Sequence, residues 1–521
     1  EEFPLTINGK IDRRALPEIT YDNHLEFISP RNINENNVLL AVCDVLELDP
    51  KNVSILESFF NIGGDSIKVI KLISLIESRT GYRPTIKEIF DTKTIDKIAR
   101  LISPESVNDD FIDKDELSVS KQVFLDIKDQ KLSYAQQIYK QTQSNSYSNI
   151  KIRFKLKENV NPEQLAEAVI AVVDRQEILR TKLYDDYQII DKSSLVVSND
   201  KIDTKEYFAH VFNLEKEIPI KVNIYDNEFT CVIDLVAFDG WSTSLFLKEI
   251  EAFYDKKDLP DLPYQYKDYS KCQYEFLSSN KKQKQLDYWK KELIDYGGVY
   301  LSEKEPNRAV ESTGGDIYLH ISDKQYKKLQ GMIKENNFTM HDILLAVFYL
   351  MTAQVSKQEK IAIAIPTLNR NISGVENLIG LFINQFLLQM NISKKMTFRD
   401  FVNVLNNKII SAQSNQDVPL AQMMKENNIK LKGNTLYFGI QGFKGEALSH
   451  SHLFEGIKEM NQQEQKDAFS DLTLFVWGQN LDFNYSKVLF KEETVQAYTN
   501  KYEKILNSVI ENSDVILKEL Y

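Results

Sequence analysis

The sequence is poor in the residues that build covalent cross-links and simple metal sites. Its 521 residues include only three cysteines, Cys43, Cys231 and Cys272, and six histidines. The cysteines are far apart, so they form neither a CxxC zinc motif nor a disulfide framework, and a reducing, cytoplasmic location is expected. The one close histidine pair, His450 and His452, has no third ligand near it in sequence. The sequence therefore predicts no metal centre.

The chain also lacks long apolar runs and an excess of positive charge. No stretch reaches the ~18 uninterrupted apolar residues that span a bilayer, and no secretory apolar segment opens the chain. The 64 Lys and Arg residues against 76 Asp and Glu residues give a net charge of -12, whereas nonspecific nucleic-acid binding needs a basic face. We expect no membrane and no nucleic-acid partner. A hydrophobic content of 42% instead predicts a globular chain of several domains.

A turn motif lies close to the start of the chain. In the segment PLTINGKIDR, Asn8-Gly9 is a hairpin-turn signal between apolar positions. The segment resembles PxTxNGKxDR, the last motif of adenylation domains, whose lysine grips the substrate carboxylate and phosphate; Lys10 stands at that position. The resemblance implies that residues 1–17 are the remnant of an upstream adenylation domain and cannot adenylate alone. Residues 18–31 are polar and without periodicity, which indicates a linker.

Residues 32–103 have helical periodicity around Gly63-Gly64-Asp65-Ser66. Paired glycines allow another protein to approach the backbone closely, and a serine opening a helix places its hydroxyl at the positive end, where a phosphodiester is stabilised. The alternative is that Asp65 or Ser66 only caps the helix. Apolar spacing predicts four helices, at 34–48, near 66–80, at 86–91 and at 94–102. This segment resembles a peptidyl carrier protein with the motif LGGxS. The resemblance implies 4'-phosphopantetheine on Ser66, attached by a phosphopantetheinyl transferase.

The remainder of the chain is predicted to be one large α+β unit. Residues 104–131 hold several acids and few apolar runs, which indicates a second linker. Strand and helix patterns then alternate in mixed order through residues 132–521, in two comparable halves of about 132–305 and 306–521. One strand is predicted at 229–238.

Five short motifs occur in this region in a fixed order: LSYAQ at 132–136, RQEILRT at 175–181, YKDY at 266–269, IGLFIN at 379–384 and NQDVPL at 415–420. Together they resemble the condensation domains of nonribosomal peptide synthetases. That resemblance implies two chloramphenicol-acetyltransferase-like lobes, with a tunnel between them that receives carrier arms from opposite faces. The predicted fold class is therefore a small four-helix carrier domain plus a large two-lobed α+β domain.

The segment from Asp234 to Gly240 stands where this family has HHxxxDG. There the second histidine assists amine attack on the thioester, but Leu235 takes its place and cannot exchange a proton. Asp239 matches the family's structural aspartate and Arg370 matches its arginine, so we predict a salt bridge between them. A carboxylate at 234 inside a central strand costs several kcal/mol unless it is paired. If Leu235 faces the tunnel, Asp234 faces away; if a bulge intervenes, Asp234 is a candidate base.

Three functions remain open. The first is amide formation onto an amine held by a downstream carrier or module, which relies on proximity in place of the histidine. The second is heterocyclisation to a thiazoline or oxazoline, because Asp234, Asp239 and Ser242 satisfy DxxxxDxxS and are candidate catalytic residues. Only Asp234 discriminates here, and Gly439 stands where the cyclisation family has a catalytic threonine. The third is an inactive platform that recruits a tailoring enzyme.

Overall fold

The structure, a computed structural model, describes residues 27–64, 66–102, 117, 119–124, 126–142, 149–301, 313–336, 338–370, 372–440, 451–456 and 468–520. The predictions made for Lys10, for the remnant at 1–17 and for Asp65 lie outside these residues. The described residues form two hydrophobic cores. The smaller core is built from residues 38–99 together with Ile410, and the larger one from Leu117 and residues beyond it.

The smaller unit is helical. Asn32 begins its first helix by accepting a hydrogen bond from the Glu35 amide at 2.9 Å, and Glu47, with φ of 56°, ends it. This left-handed residue stops the helix two residues before the predicted end. A capping box of Thr85 and Glu88 begins the third helix. The helices are α1 (Ile33–Leu46), α2 (Ser66–Thr80), α3 (Ile86–Thr92) and α4 (Ile95–Arg100).

The described part of the second predicted linker is fixed on the larger unit. Leu117 and Val119 are buried in the larger core. The Leu117 amide donates to Asp417 Oδ2 at 3.4 Å, and the Gln122 amide donates to Asp268 Oδ1 at 2.8 Å. These residues are therefore packed structure and not a free connector.

The first sheet of the larger unit has five strands in the order β11-β1-β6-β5-β4, and β2 and β3 form a separate pair. The strands of the first sheet are antiparallel except for the β4–β5 pair. Apolar faces of α6 and α8 cover it. The elements are α5 (Tyr134–Thr142), β1 (Asn149–Leu156), α6 (Pro162–Arg175), β2 (Thr181–Leu183), β3 (Gln188–Ile190), β4 (Val197–Ser198), α7 (Thr204–Phe208), β5 (Ile220–Tyr225), β6 (Glu228–Asp234), α8 (Gly240–Tyr254), α9 (Tyr266–Ser278) and α10 (Gln283–Glu292).

The second sheet has six strands in the order β7-β13-β12-β10-β8-β9. The nearly wholly apolar helix α12 is buried along most of its length, which makes it the centre of this half. The elements are β7 (Gly314–His320), α11 (Asp323–Asn336), α12 (Met340–Ser356), β8 (Lys360–Thr367), β9 (Asn384–Asn391), α13 (Phe398–Gln413), α14 (Leu420–Glu426), β10 (Leu436–Ile440), β11 (Phe454–Gly456), β12 (Leu472–Trp477), β13 (Asn480–Ser486) and α15 (Glu492–Glu511).

One strand joins the two halves of the larger unit. Strand β11 comes from the second half of the sequence but pairs with β1 in the first sheet, with Phe154 opposite Gly456. The two halves are therefore interlocked and not simply consecutive.

Among the described helices, none taken singly has the length and apolarity of a membrane span; α11 and α12, bent by 105° at their junction, reach it only as a pair and only by length and composition.

Candidate functional site

The end of strand β6 differs from the prediction in a way that shapes the site. The predicted strand 229–238 is wrong in its second half, because β6 stops at Asp234 and a 3-10 turn spans Leu235–Ala237. The Asp234 carboxylate stabilises this turn, since its Oδ1 accepts the Val236 amide at 2.9 Å and caps the turn. The backbone hydrogen bond of a continued strand is thereby replaced by a local one.

One side chain of this turn is more exposed than its neighbours. Asp234 and Val236 are each 1% exposed, whereas Leu235 between them is only partly buried. Helix α5 lies against this turn, and burial together with the nearby Asp234 carboxylate raises the pKa of Tyr139 on that helix. Asp234 therefore lies on the packed side of the turn, and Leu235 is the most exposed side chain of the turn.

A buried ion pair follows at the start of helix α8. Arg370 Nη2 lies 3.0 Å from Asp239 Oδ1 and 3.1 Å from Oδ2, and the side chains are 0% and 2% exposed. Such a pair is costly unless its other hydrogen-bonding groups are also satisfied. Here Arg370 Nη1 donates to the carbonyls of Val375 and Leu378 at 2.9 and 2.6 Å, whereas its buried Nε has no partner among the described residues. Burial lowers the pKa of Arg370, and the Asp239 carboxylate opposes that shift.

Asp239 and Ser242 use their polar atoms within this cluster. Asp239 Oδ1 accepts the Ser242 amide at 2.9 Å and the Ser242 hydroxyl at 2.7 Å, and Oδ2 accepts the Phe382 amide at 3.2 Å. Ser242 Oγ in turn accepts the Gly380 amide at 3.1 Å. The cluster therefore ties α8 in the first half to residues 370–382 in the second.

Gln176 makes a second tie between the halves, and no role was predicted for it. Its Nε2 donates to Glu249 Oε1 at 3.0 Å and to the Asn377 carbonyl at 3.1 Å, while its Oε1 accepts the Ile379 amide at 3.0 Å. Burial raises the pKa of Glu249, and hydrogen bonds from Arg175 and Gln176 oppose that shift. The available signal was the place of Gln176 in the RQEILRT motif at 175–181.

The residues around Ser66 fit an attachment site for a prosthetic arm. Gly63 has φ of +112° with open space where a Cβ would be, and a Cβ on Gly64 would lie 2.4 Å from the Phe59 ring. The backbone therefore passes close over Phe59 and turns into α2, which Ser66 opens. The first turn of a helix is a favourable place for a phosphodiester.

The described residues contain no group of three or more His, Cys, Asp or Glu side chains arranged to hold a metal ion. His452 pairs with Asp255 at 2.9 Å. The three cysteines are buried and unpaired with one another.

Known structures share this fold. The X-domain from teicoplanin biosynthesis superposes with a TM-score of 0.64 at 14% identity, over 77% of this chain and 99% of that one. A condensation domain from the monacolin K polyketide synthase MokA gives a TM-score of 0.62 at 17% identity, over 74% of this chain and 98% of that one. These likenesses define the larger unit as a condensation-type fold of two lobes.

Two family matches agree with the fold. Residues 127–521 match the condensation domain family and residues 37–102 match the phosphopantetheine attachment site family. The chain therefore belongs to the condensation domain family, joined to a 4'-phosphopantetheine carrier domain, as in nonribosomal peptide synthetases. This confirms the family and the cofactor that the motifs implied.

Curated relatives match over almost the whole chain but are far longer. Surfactin synthase subunit 1 of Bacillus subtilis is 27% identical over 100% of this chain and 15% of its own length. Bacitracin synthase 1 of Bacillus licheniformis is 26% identical over 99% of this chain and 10% of its own length. N-(5-amino-5-carboxypentanoyl)-L-cysteinyl-D-valine synthase of Penicillium rubens is 24% identical over 98% and 15%. The chain spans less than a fifth of each relative.

Proposed function

We propose that this segment forms an amide bond between an acyl group tethered to Ser66 and an amine held by a downstream carrier. When bound, phosphopantetheine supplies a thioester at the end of a long flexible arm. The amine nitrogen forms the new C–N bond, the C–S bond breaks, and the proton lost by the nitrogen passes to the released thiolate or to water. The observation that carries the proposal is the Asp239–Arg370–Ser242 cluster, which follows a turn whose most exposed side chain is Leu235.

The loss of a histidine base is smaller than the gain from positioning. General base catalysis contributes about 10²–10⁴-fold, or about 3–5 kcal/mol. Holding two reactants in a productive geometry contributes about 7–11 kcal/mol. Positioning of two tethered reactants without an imidazole therefore keeps the larger share of the rate enhancement, and we expect slower transfer rather than none.

Within this proposal Asp234, Asp239 and Ser242 shape the site and do not exchange protons. Asp234 caps the turn that carries Leu235. Asp239 and Ser242 have their oxygens engaged with Arg370 and with backbone amides. A proton acceptor needs an oxygen that reaches the substrate, and all three residues are at most 2% exposed.

The test is a reconstitution with intact mass analysis of the product. Ser66 is loaded with an acyl-pantetheine by a phosphopantetheinyl transferase, and a separate carrier bearing an amino acid is added. An amide on the acceptor supports the proposal. An amide that has also lost water indicates heterocyclisation, and no transfer by a correctly loaded chain contradicts both. The Ser66→Ala variant is the control for loading.

Two variants separate positioning from base catalysis. Leu235→His is expected to raise the transfer rate by up to about 10⁴-fold, because it returns a general base to the position where the family has its second histidine; Leu235→Val is the matched control. Asp234→Asn keeps an oxygen that caps the Val236 amide and is expected to retain transfer. A complete loss of transfer in folded Asp234→Asn would show that the carboxylate itself takes part.

A recruiting platform is the second candidate function. The observation that favours it is the likeness to the X-domain from teicoplanin biosynthesis, which has also been solved in complex with OxyB and superposes with a TM-score of 0.64. A partner enzyme that binds the loaded chain, together with no amide in the reconstitution, would favour this function.

A further inference from the structure

The carrier unit rests on the larger unit along one face of helix α2. Ser74 Oγ donates to Glu376 Oε1 at 2.6 Å, and Ser373 Oγ donates to Glu77 Oε1 at 3.0 Å. Lys71 Nζ lies 5.1 Å from the centre of the Trp241 ring. Positions 71, 74 and 77 are three residues apart and so share one face of the helix. That face belongs to the same helix that Ser66 opens.

A hydrophobic contact supports these polar ones. Ile410, on helix α13 of the larger unit, is 8% exposed and lies among the core residues of the carrier unit. Helix α3 of the carrier packs against α13 at the same place. The contact therefore has an apolar part as well as a hydrogen-bonded part, as specific interfaces do.

The docking loop, residues 372–378, takes its shape from the buried ion pair. Arg370 holds the carbonyls of Val375 and Leu378. Gly374 has φ of +85°, and a Cβ there would lie 2.6 Å from the Tyr264 ring. The path of the loop therefore requires glycine at position 374. It also depends on the Arg370 guanidinium, which holds the loop carbonyls in place.

Trp241 contacts both the docking loop and the ion pair. Its indole N–H donates to the Glu376 carbonyl at 3.0 Å, and its ring centre lies 5.1 Å from Lys71 Nζ of the carrier and 5.9 Å from the central carbon of the Arg370 guanidinium. Cation–aromatic contacts of this kind contribute about 0.5–2 kcal/mol each.

We propose that Trp241 and the docking loop form the recognition surface for carrier helix α2, and that Arg370 sets the shape of this surface. The partner is the phosphopantetheine carrier of the same chain. Trp241 and Glu376 are then specificity-determining residues, and docking of the carrier is coupled to the cluster that anchors helix α8. The inference adds a docking surface to the proposed function, but docking is measurable without any transfer, so the two can fail separately.

Disulfide trapping in the full-length chain tests the surface. Glu77→Cys with Ser373→Cys places two thiols at a contact that the native side chains bridge at 3.0 Å, and the three native cysteines are buried. Mild oxidation is expected to close this pair at least tenfold faster than the control pair Lys51→Cys with Ser373→Cys, whose first residue is an exposed position in the carrier unit. Equal rates for the two pairs would overturn the docking surface.

A matched pair of tryptophan substitutions tests whether Trp241 contributes to docking. Trp241→Phe in the trapping background removes the hydrogen bond to the Glu376 carbonyl and is expected to slow disulfide closure several-fold. Trp289 is also buried and donates its indole N–H to a backbone carbonyl, that of Asn415, at 2.7 Å, so Trp289→Phe is the control. Equal effects of the two substitutions, in variants with native circular dichroism, would show that Trp241 has no special part in docking.

Discussion

Arg370 is the residue on which the site depends most, because it is fully buried and charged. Its guanidinium meets the Asp239 carboxylate and the carbonyls of Val375 and Leu378, and its central carbon lies 4.2 Å from the centre of the Phe382 ring. A buried pair adds little net stability over apolar residues of the same volume, but removing one partner leaves the other charge uncompensated. The pair is therefore a strong constraint on which sequences fold this way.

We expect Arg370→Met to lower the free energy of unfolding of the larger unit by about 3–5 kcal/mol. Urea unfolding followed by tryptophan fluorescence measures this, because the three tryptophans of the chain, at 241, 289 and 477, all lie in the larger unit. The control is Arg399→Met, since Arg399 pairs with Asp514 at the surface with side chains 40% and 60% exposed, and such pairs contribute about 0–1 kcal/mol. A loss in Arg370→Met no larger than in the control would contradict the constraint.

The limits of the sequence prediction are also clear at single residues. The pairing of Asp239 with Arg370 was predicted from two family motifs, and the structure places the two side chains 3.0 Å apart. The capping role of Asp234 was not predicted, because an apolar run containing one carboxylate has the same local pattern whether the strand continues or stops. The outcome depends on the Val236 amide, which only the folded geometry brings to the carboxylate.

At the scale of elements, long periodic segments were predictable and short non-local ones were not. The helix predicted near 66–80 matches α2 in both bounds, since its apolar spacing is a local signal. Strand β11 was not predicted, because three residues that pair with a strand about 300 positions earlier leave no periodic pattern. Glu376 was missed for the same reason, as its partners lie in the carrier unit and in α8.

Gln176 gives a test of how the elements of the two halves are held together. In the parent chain Gln176 Nε2 lies 3.0 Å from Glu249 Oε1 and 3.1 Å from the Asn377 carbonyl. Gln176→Glu replaces this donor with a carboxylate oxygen. Burial already raises the pKa of Glu249, so a second carboxylate is expected to raise it further. The variant is expected to be less stable than the parent, and the deficit is expected to grow as the pH rises from 5 to 8 and both groups ionise.

Melting temperatures of parent and variant at pH 5 and pH 8 measure this deficit. Gln164→Glu is the control, because the Gln164 side chain donates to the Tyr254 carbonyl at a part-buried position. If the Gln176→Glu deficit were the same at both pH values, charge repulsion with Glu249 would not be its cause.

At the scale of the whole molecule, the larger unit and the enzyme that modifies Ser66 both need access to helix α2 of the carrier. Helix α2 uses positions 71, 74 and 77 to rest on Trp241 and the docking loop, and Ser66 opens the same helix. Any enzyme that modifies Ser66 must approach the first turns of α2. We expect docking and modification to compete for this helix, so that the rate of modification reports the undocked population.

Loosening the docked state is expected to speed the attachment of phosphopantetheine to Ser66. Ile410→Ser removes the apolar contact from the larger unit without changing the carrier itself, so a rate increase cannot come from altered recognition of the carrier by the transferase. With a phosphopantetheinyl transferase and coenzyme A, intact mass at successive times is expected to show modification several-fold faster than in the parent chain. Ile516→Ser, at an exposed site of the larger unit, is the control and should leave the rate unchanged. Ile410 is only 8% exposed, so its substitution is expected to weaken docking. If the parent chain and folded Ile410→Ser were modified at the same rate, the carrier would leave this surface freely before it is modified.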